Sequence, residues 1–225
     1  MFGKNKIQKP ESGDGKILKV TEIFPTFQGE GPFTGHPAVF IRLSGCNLAC
    51  DFCDTEFDKF EEFSVNQIIT QATNLSQNEQ GERLRNLIVL TGGETLRQPI
   101  ELLCRELLKK DFQVQIETNG TIFRDIDDRV DIICSPKAQN GKYFPIRPDL
   151  LPKINAFKFI VSANKNGYQD ITEVGQSQYN IPIYLQPMDE YNEQKNQDNI
   201  NKTLELAEKY GARISLQTHK ALGIQ

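Results

Sequence analysis

The sequence lacks an excess of basic residues, a long apolar run and a signal-peptide pattern. Its 225 residues carry 26 Lys and Arg against 30 Asp and Glu, a formal net charge of −4, so the overall field does not attract nucleic acid. No apolar segment approaches the ~20 residues that span a bilayer, and the N-terminus has no apolar h-region. We therefore expect a cytoplasmic protein that binds a small molecule, with no membrane or nucleic-acid partner.

Internal repeats, low-complexity tracts and convincing linkers are also missing. The chain is 38% hydrophobic and 25% charged, which is ordinary for a globular protein large enough to bury a core. We expect a single domain over residues 1–225, in which the polar residues 1–15 form a loose tail.

Strand-like and helix-like segments alternate from residue 17 onward. Ser64 and Gln67 form a capping box before an amphipathic helix that ends near Leu75, and a second helix follows Pro99. A third helix is predicted from Asn199 to Tyr210, with Ile200, Leu204 and Ala207 aligned on one apolar face. The predicted strands, rich in branched and aromatic residues, are 17–24, 38–43, 87–91, 112–117, 130–134, 157–161, 181–186 and 212–216.

This alternation favours a parallel sheet of the α/β class. About a dozen residues separate the predicted strands that end at Glu117 and begin at Val130, barely enough for a crossover helix. The chain is also shorter than the roughly 250 residues of a complete eight-fold barrel. We predict a partial TIM-like barrel of about six parallel strands with a reduced set of outer helices.

The cysteines are odd in number and unevenly spread. Five occur in the chain, and thiols in a reducing compartment stay reduced unless they bind metal or do chemistry. Cys46, Cys50 and Cys53 share one short loop without a fourth cysteine beside them. A closed structural zinc site has four ligands, so this loop leaves one position open.

The CxxxCxxC spacing of that loop lets it wrap an iron–sulfur cubane. Three thiolates leave one iron free to chelate the amino and carboxylate groups of S-adenosylmethionine. The alternative is zinc bound by the three cysteines with a distant His36, His219 or Cys134. Cys104 and Cys134 lie on an apolar helix face and in a strand, where they are better explained as core residues.

Two motifs together resemble the radical S-adenosylmethionine superfamily. They are CNLACDFC at 46–53 and the Gly92–Gly93–Glu94 segment that ends the next predicted strand. The superfamily more often continues the second motif with proline, where this chain has Thr95. More narrowly, TFQGEGPFTGHPAVFIRLSGCNLACDFCDTEF at 26–57 is similar to the 7-carboxy-7-deazaguanine synthase family, and the likeness continues to the closing LQTHKALGIQ.

This resemblance implies a lyase that converts 6-carboxy-5,6,7,8-tetrahydropterin to 7-carboxy-7-deazaguanine with loss of ammonia, in queuosine and 7-deazapurine biosynthesis. It implies a 4Fe-4S cluster, S-adenosylmethionine and Mg²⁺ as cofactors, a flavodoxin or ferredoxin as reductant, and a homodimer. The radical derives from the cofactor, so no side chain is assigned as catalytic. The rivals are another radical S-adenosylmethionine enzyme, such as a glycyl-radical activase, and a non-catalytic zinc-binding module.

The resemblance also implies cofactor roles for particular residues. Cys46, Cys50 and Cys53 are the expected cluster ligands, and the Thr55 hydroxyl is expected to coordinate Mg²⁺, which takes oxygen ligands and keeps several waters. Phe52 is expected to face S-adenosylmethionine, although without the resemblance packing within the loop would explain this residue equally well. The residues expected to contact S-adenosylmethionine are Phe52, Cys53, Asp54, Gly93, Glu94, Ser135, Pro136, Lys137, Gln186, Pro187, Met188 and Asp189.

Other residues are expected to contact the substrate. Arg42 lies in an otherwise apolar strand, where a guanidinium needs an anion; the substrate carboxylate suits it, and a structural salt bridge is the rival. Phe27–Gly29 resembles a pterin-binding turn, whose alternative is a plain glycine turn. The ETNG motif at 117–120 ends another strand and is expected to border the same cavity. The full expected substrate set is Phe27, Gln28, Gly29, Arg42, Thr91 and Gln225, the last standing where the family often ends in proline.

Overall fold

The structure is a computed structural model that describes residues 5–53, 55–56 and 59–224. Its helices are α1 (Val65–Ser76), α2 (Glu101–Lys109), α3 (Glu193–Tyr210) and α4 (Thr218–Leu222). Its strands are β1 (Ile17–Phe27), β2 (Pro37–Leu43), β3 (Glu61–Ser64), β4 (Leu87–Gly92), β5 (Gln113–Thr118), β6 (Asp131–Cys134), β7 (Ala138–Gln139), β8 (Lys142–Tyr143), β9 (Ile154–Val161), β10 (Ile183–Pro187) and β11 (Arg213–Ile214). Short 3-10 turns cover Gly31–Phe33, Thr95–Arg97 and Leu151–Lys153.

Nine of these strands form one sheet in the order β11-β10-β9-β6-β5-β4-β2-β1-β3. The strands from β11 through β2 run parallel, whereas β1 is antiparallel to β2 and β3 is antiparallel to β1. Since β11 has only two residues, six longer parallel strands make up the body of the sheet. The predicted α/β fold, a partial TIM-like barrel with few helices, is confirmed.

The two faces of the sheet differ because successive residues of a strand point to opposite sides. One face packs under the helices and forms the main core, which includes Ile41, Leu90, Ile116, Phe159 and Leu185. The adjacent residues in the chain lie on the concave face and line a cavity: Arg42, Thr91, Glu117, Lys158 and Gln186. The period-two alternation therefore separates the core from the candidate site.

The predicted capping box of α1 is confirmed. The Ser64 side chain accepts a hydrogen bond from the Gln67 backbone N–H, and the Gln67 side chain accepts one from the Ser64 backbone N–H. Val65, Ile68 and Ile69 are buried, so the helix starts and packs as its sequence indicates.

The structure corrects the prediction for α3. The helix begins at Glu193, six residues before the predicted start, and Asn192 caps it by accepting a hydrogen bond from the Lys195 backbone N–H. Ile200 and Leu204, expected on the buried face, are 37% and 47% exposed. Ala207 is buried as expected, but the rest of the buried face carries Asn199, Thr203 and Leu206. The Asn199 amide donates to the Met188 carbonyl oxygen at 2.8 Å. Polar contacts of Asn199 and burial of Leu206 and Ala207 together define the inward face of α3.

Residues 5–15 also differ from the expectation of a loose tail. The Gln8 backbone N–H donates to the Cys46 carbonyl oxygen at 2.8 Å, and Glu11 forms ion pairs with Lys19 and Arg97. A polar composition suggested a free tail, but its polar groups bind the body of the protein. In the described part of the chain, no helix combines the length and apolar character needed to cross a membrane.

Candidate active site

A cavity of about 590 Å³ opens at the carboxyl edge of the parallel strands. Residues that follow β2, β4, β5, β6, β10 and β11 all contribute to its lining, as expected for ligand sites in α/β proteins. Its volume lies in the range of small-molecule pockets. The site is therefore an assembly of loops that are distant in sequence and adjacent in the sheet.

The cysteine loop, which follows β2, interlocks with the Gly92–Gly93 turn, which follows β4. The Glu94 backbone N–H donates to the Gly45 carbonyl oxygen at 3.0 Å. A Cβ atom at Gly93 would lie 2.0 Å from the same oxygen, so a side chain there would push the two loops apart. The contact explains why a glycine is needed at this point.

The cysteine loop is also tied to the ETNG turn after β5. The Asn119 amide donates to the Asn47 side-chain oxygen at 3.0 Å, and the Asn47 amide donates to the Thr121 hydroxyl at 2.7 Å. Asn119 lines the cavity, so the expectation that this motif borders it is supported. The turn thus has a structural role in holding the loop.

The three cysteines Cys46, Cys50 and Cys53 form no disulfide bond and line this one cavity. Burial raises the pKa of Cys46 to about 12 and raises that of Cys50, so without a metal these thiols are protonated. Metal binding deprotonates such ligands, and the cation stabilises the thiolates. Three soft sulfur donors facing one cavity fit an iron–sulfur cluster with an open iron position.

Two of the three candidates for a fourth zinc ligand, Cys134 and His36, do not lie at the cavity. Cys134 is completely buried in β6 and His36 is exposed with its Nδ1 2.9 Å from the Phe33 carbonyl oxygen; neither lines the cavity. Over residues 5–53, 55–56 and 59–224, no three His, Cys, Asp or Glu side chains are grouped to hold a single metal ion. Cys104 is 1% exposed, as expected of a core residue.

Most of the predicted site residues are brought together by the fold. Those that line the cavity are Phe27, Gln28, Gly29, Arg42, Cys46, Cys50, Phe52, Cys53, Thr55, Thr91, Gly93, Ser135, Lys137, Gln186, Pro187, Met188 and Asp189. Asp54 and Gln225 lie outside the described residues. The cavity therefore unites the expected cofactor and substrate positions.

Glu94 and Pro136 are the exceptions, because neither lines the cavity. The Glu94 carboxylate is fully buried and accepts hydrogen bonds from the Thr118 hydroxyl at 2.6 Å and the Asn119 backbone N–H at 2.7 Å. Burial raises its pKa. In this structure Glu94 braces the turns after β4 and β5, and any contact with S-adenosylmethionine stays a prediction.

Phe52 and Lys137 both have protein partners at the cavity. The ring of Phe52 packs edge-on against Tyr168 with centroids 5.2 Å apart. The Lys137 ammonium donates to the Ser135 hydroxyl at 2.6 Å and to the Ser135 carbonyl oxygen at 2.8 Å, and burial lowers its pKa. Phe52 is thus packed within the loop and also faces the cavity, which fits both interpretations of it.

Arg42 lies on the cavity wall with its side chain 23% exposed. Its Nε is 3.8 Å from the Glu22 carboxylate, on the adjacent position of β1, and its guanidinium is 5.7 Å from the centroid of Phe24. The ion pair is long, which leaves the planar guanidinium available for a second anion. The rival salt bridge and the expected carboxylate contact are therefore compatible.

The turn at Phe27–Gly29 is held by the C-terminal segment. The Thr218 backbone N–H donates to the Gly29 carbonyl oxygen at 3.1 Å, and a Cβ atom at Gly29 would lie 2.2 Å from His219 Nδ1. His219 lines the cavity. The fold thus places His219 directly against the Gly29 turn.

A buried charge triad was missed by the sequence analysis. The Lys158 ammonium lies 2.5 Å from Glu30 and 2.9 Å from Glu117, and all three residues line the cavity. Gln217 donates to Glu30 at 2.8 Å and Gln115 donates to Glu117 at 2.7 Å. The available signal was a lysine inside the apolar strand INAFKFIV at 154–161.

The two carboxyl groups of this triad differ in the direction of their pKa shifts. Burial acts to raise the pKa of Glu30, but the Lys158 ammonium and the hydrogen bonds outweigh it and lower the pKa to about 2. Burial raises the pKa of Glu117 despite its contact with Lys158, and the two carboxylates raise the pKa of Lys158 against the effect of burial. Glu30 and Lys158 therefore form the charged pair, with Glu117 the more readily protonated carboxyl.

Comparison with known proteins defines the class first. A sequence profile described as the Radical SAM superfamily matches residues 40–137, the span that contains the cysteine loop and the glycine turn. A crystal structure of QueE from Escherichia coli superposes with a TM-score of 0.69 at 25% identity, covering 89% of this chain and 93% of that one. Fold and site together define a radical S-adenosylmethionine protein, a class that uses a 4Fe-4S cluster and S-adenosylmethionine.

Full-length relatives then define the family. The 7-carboxy-7-deazaguanine synthase of Rickettsia prowazekii is 53% identical over 225 residues, covering 100% of this chain and 96% of the relative. That of Rhodospirillum rubrum is 35% identical, with 100% of both chains covered. The chain belongs to the 7-carboxy-7-deazaguanine synthase family.

Proposed function

We propose that this chain converts 6-carboxy-5,6,7,8-tetrahydropterin to 7-carboxy-7-deazaguanine with loss of ammonia, a lyase step in 7-deazapurine and queuosine biosynthesis. The observation that carries the proposal is that the three loop thiols, Gly93 and Arg42 all line one cavity. When bound, the 4Fe-4S cluster and S-adenosylmethionine would supply the radical chemistry that removes a hydrogen atom from the substrate. The names of the relatives support the same reaction.

The protein's own residues would bind and orient these groups. Cys46, Cys50 and Cys53 would hold the cluster on one side of the cavity. Phe52 and Gly93 would hold S-adenosylmethionine in the cavity, together with Ser135, Lys137, Gln186, Pro187, Met188 and Asp189. Enclosure by loops from six strands would exclude water from a reactive intermediate.

The substrate would occupy the part of the cavity near β1 and β2. Gln28 and Gly29 offer amide and backbone groups to the edge of the pterin, and Thr91 lies on the neighbouring strand. The Arg42 guanidinium would bind the carboxylate in a bidentate manner. The Thr55 hydroxyl would help to hold Mg²⁺, which would supply positive charge beside the substrate.

We also propose a flavodoxin or ferredoxin as the source of the electron, and a homodimer. Ile214 and Leu216, 43% and 52% exposed near the edge strand β11, support a protein contact on that side. Three loop cysteines that must stay reduced to bind iron support a cytoplasmic location. One domain over residues 1–225 remains part of the proposal.

The activity is tested with reconstituted protein in the absence of oxygen. We expect the carboxylated pterin, S-adenosylmethionine, Mg²⁺ and a reductant to yield 7-carboxy-7-deazaguanine, detected by mass, with less product when Mg²⁺ is omitted. If the protein holds an intact four-iron cluster and forms no product, the assignment of the carboxylated pterin as substrate is rejected. One equivalent of zinc without iron would reject the radical chemistry itself.

Arg42→Ala is expected to weaken substrate binding while S-adenosylmethionine is still cleaved without coupling to product. Loss of a charge-assisted bidentate contact corresponds to about a 10- to 100-fold rise in the substrate dissociation constant. Binding of the pterin and release of 5′-deoxyadenosine would be measured separately.

Glu22→Gln is the matched control for Arg42. It removes the carboxylate 3.8 Å from the guanidinium without changing the guanidinium, so substrate affinity is expected to stay the same or improve. Unchanged affinity in Arg42→Ala would reject the carboxylate role and leave only the ion pair with Glu22.

A further inference from the structure

The N-terminal segment from Asn5 to Glu11, here termed the strap, lies directly on the cysteine loop. Ile7 forms a parallel bridge with Cys46, and the Gln8 backbone N–H donates to the Cys46 carbonyl oxygen at 2.8 Å. The Asn5 amide nitrogen lies 2.7 Å from the Thr55 carbonyl oxygen and 3.7 Å from the Cys53 sulfur. The strap thus reaches two of the three expected cluster ligands.

The far end of the strap is anchored by buried charge. Glu11 lies 2.9 Å from the guanidinium of Arg97, whose side chain is 1% exposed, and 2.8 Å from the Lys19 ammonium. Arg97 in turn donates to the Ser44 carbonyl oxygen, two residues before Cys46, at 2.9 Å. A buried guanidinium holds its partners firmly, since separating it from its carboxylate leaves an uncompensated charge.

We propose that the strap is part of the cluster site, with the Asn5 amide as a hydrogen-bond donor to the Cys53 sulfur. The inference rests on the proposed function, because it requires the cluster to be bound. Asn5 is a positioning residue: one amide group holds both Cys53 and the Thr55 backbone, so the last cysteine and the expected Mg²⁺ ligand are fixed together.

The chemical consequence follows from the charge on sulfur. An N–H donor stabilises negative charge on a cluster thiolate and therefore favours the reduced cluster, which carries one more electron. Partners behind the ligands also slow the loss of metal. Asn5 is thus expected to raise the reduction potential and to retain iron.

The experiment compares anaerobically reconstituted full-length protein with two variants at this position. Asn5→Leu keeps a similar size and removes the N–H donors, whereas Asn5→Gln keeps an amide on a longer side chain. We expect Asn5→Leu to lower the midpoint potential in an EPR-monitored redox titration and to release iron to a chelator about 10-fold faster. Asn5→Gln should have a midpoint potential and a rate of iron release between those of Asn5→Leu and the unmodified protein.

Asn78→Leu is the control, because the Asn78 amide donates to Glu82 in the turn after α1, outside the strap and the cavity. It should leave potential and iron release unchanged. A wild-type midpoint potential in Asn5→Leu would overturn the hydrogen-bond proposal, even if iron is released faster. Failure of the unmodified chain to hold a four-iron cluster would instead overturn the proposed function together with this inference.

Discussion

Cys50→Ala is expected to lose the iron–sulfur cluster and all detectable product formation. Its thiol is one of the three cysteine thiols in the cavity, and without it only two cysteines would remain to hold a four-iron cluster. Iron and acid-labile sulfide, measured after anaerobic reconstitution, should fall well below four per chain. The same result is expected for Cys46→Ala and Cys53→Ala.

Cys104→Ala is the matched control for the cluster ligands. This cysteine lies on the buried, core-facing side of α2 and does not line the cavity. The substitution should leave iron and sulfide at the unmodified level and lower only the free energy of unfolding, because it removes buried volume. Equal iron loss in Cys104→Ala and Cys50→Ala would show that folding, and not ligation, explains the effect.

Lys158→Met is expected to lower the free energy of unfolding by about 3–5 kcal/mol, as measured by denaturant unfolding of the metal-free chain. The Lys158 ammonium lies within hydrogen-bond distance of Glu30 and Glu117. Methionine has a similar size and no charge, so it leaves two carboxylates facing each other in a poorly solvated place. Adding Glu117→Gln should recover part of the loss by removing one of those charges.

Lys153→Met is a closely matched control for the charge triad. Lys153 also lies between two carboxylates, 3.1 Å from Asp125 and 2.9 Å from Asp128, but both of these side chains are almost fully exposed. Water screens such pairs, so the expected loss is no more than about 1 kcal/mol. Equal losses for the two lysines would contradict the view that burial of the triad dominates.

The elements and the cluster loop were predictable because their signals are local. Ser64 and Gln67 are three residues apart and cap α1 without reference to the rest of the chain. Runs rich in branched and aromatic residues predicted the strands. Recognisable motifs follow two of them, the cysteines after β2 and the glycine pair after β4. Parallel strands bring these ends to one edge, so the gathering of most expected site residues was also predictable.

Other features depended on contacts between distant parts of the chain. Glu30 lies 128 residues from Lys158 in sequence, and no spacing rule joins them. The buried face predicted for α3 was wrong at Ile200 and Leu204. An amphipathic pattern does not show which face will form hydrogen bonds, and Asn199 forms one with Met188 on the buried face. Asn5 could not be connected with Cys53 before the strap was seen beside the cysteine loop.

The sequence by itself determined the sulfur donors, the strand-and-helix order and the resemblance that names the family, since each resides in residues that are near one another in the chain. The tertiary structure alone decided which charges share the cavity, which carboxylate turns away from it and which segment supports the cysteine loop. The physical reason is that burial and pairing of charge depend on distances in space, and strands adjacent in this sheet come from widely separated parts of the chain.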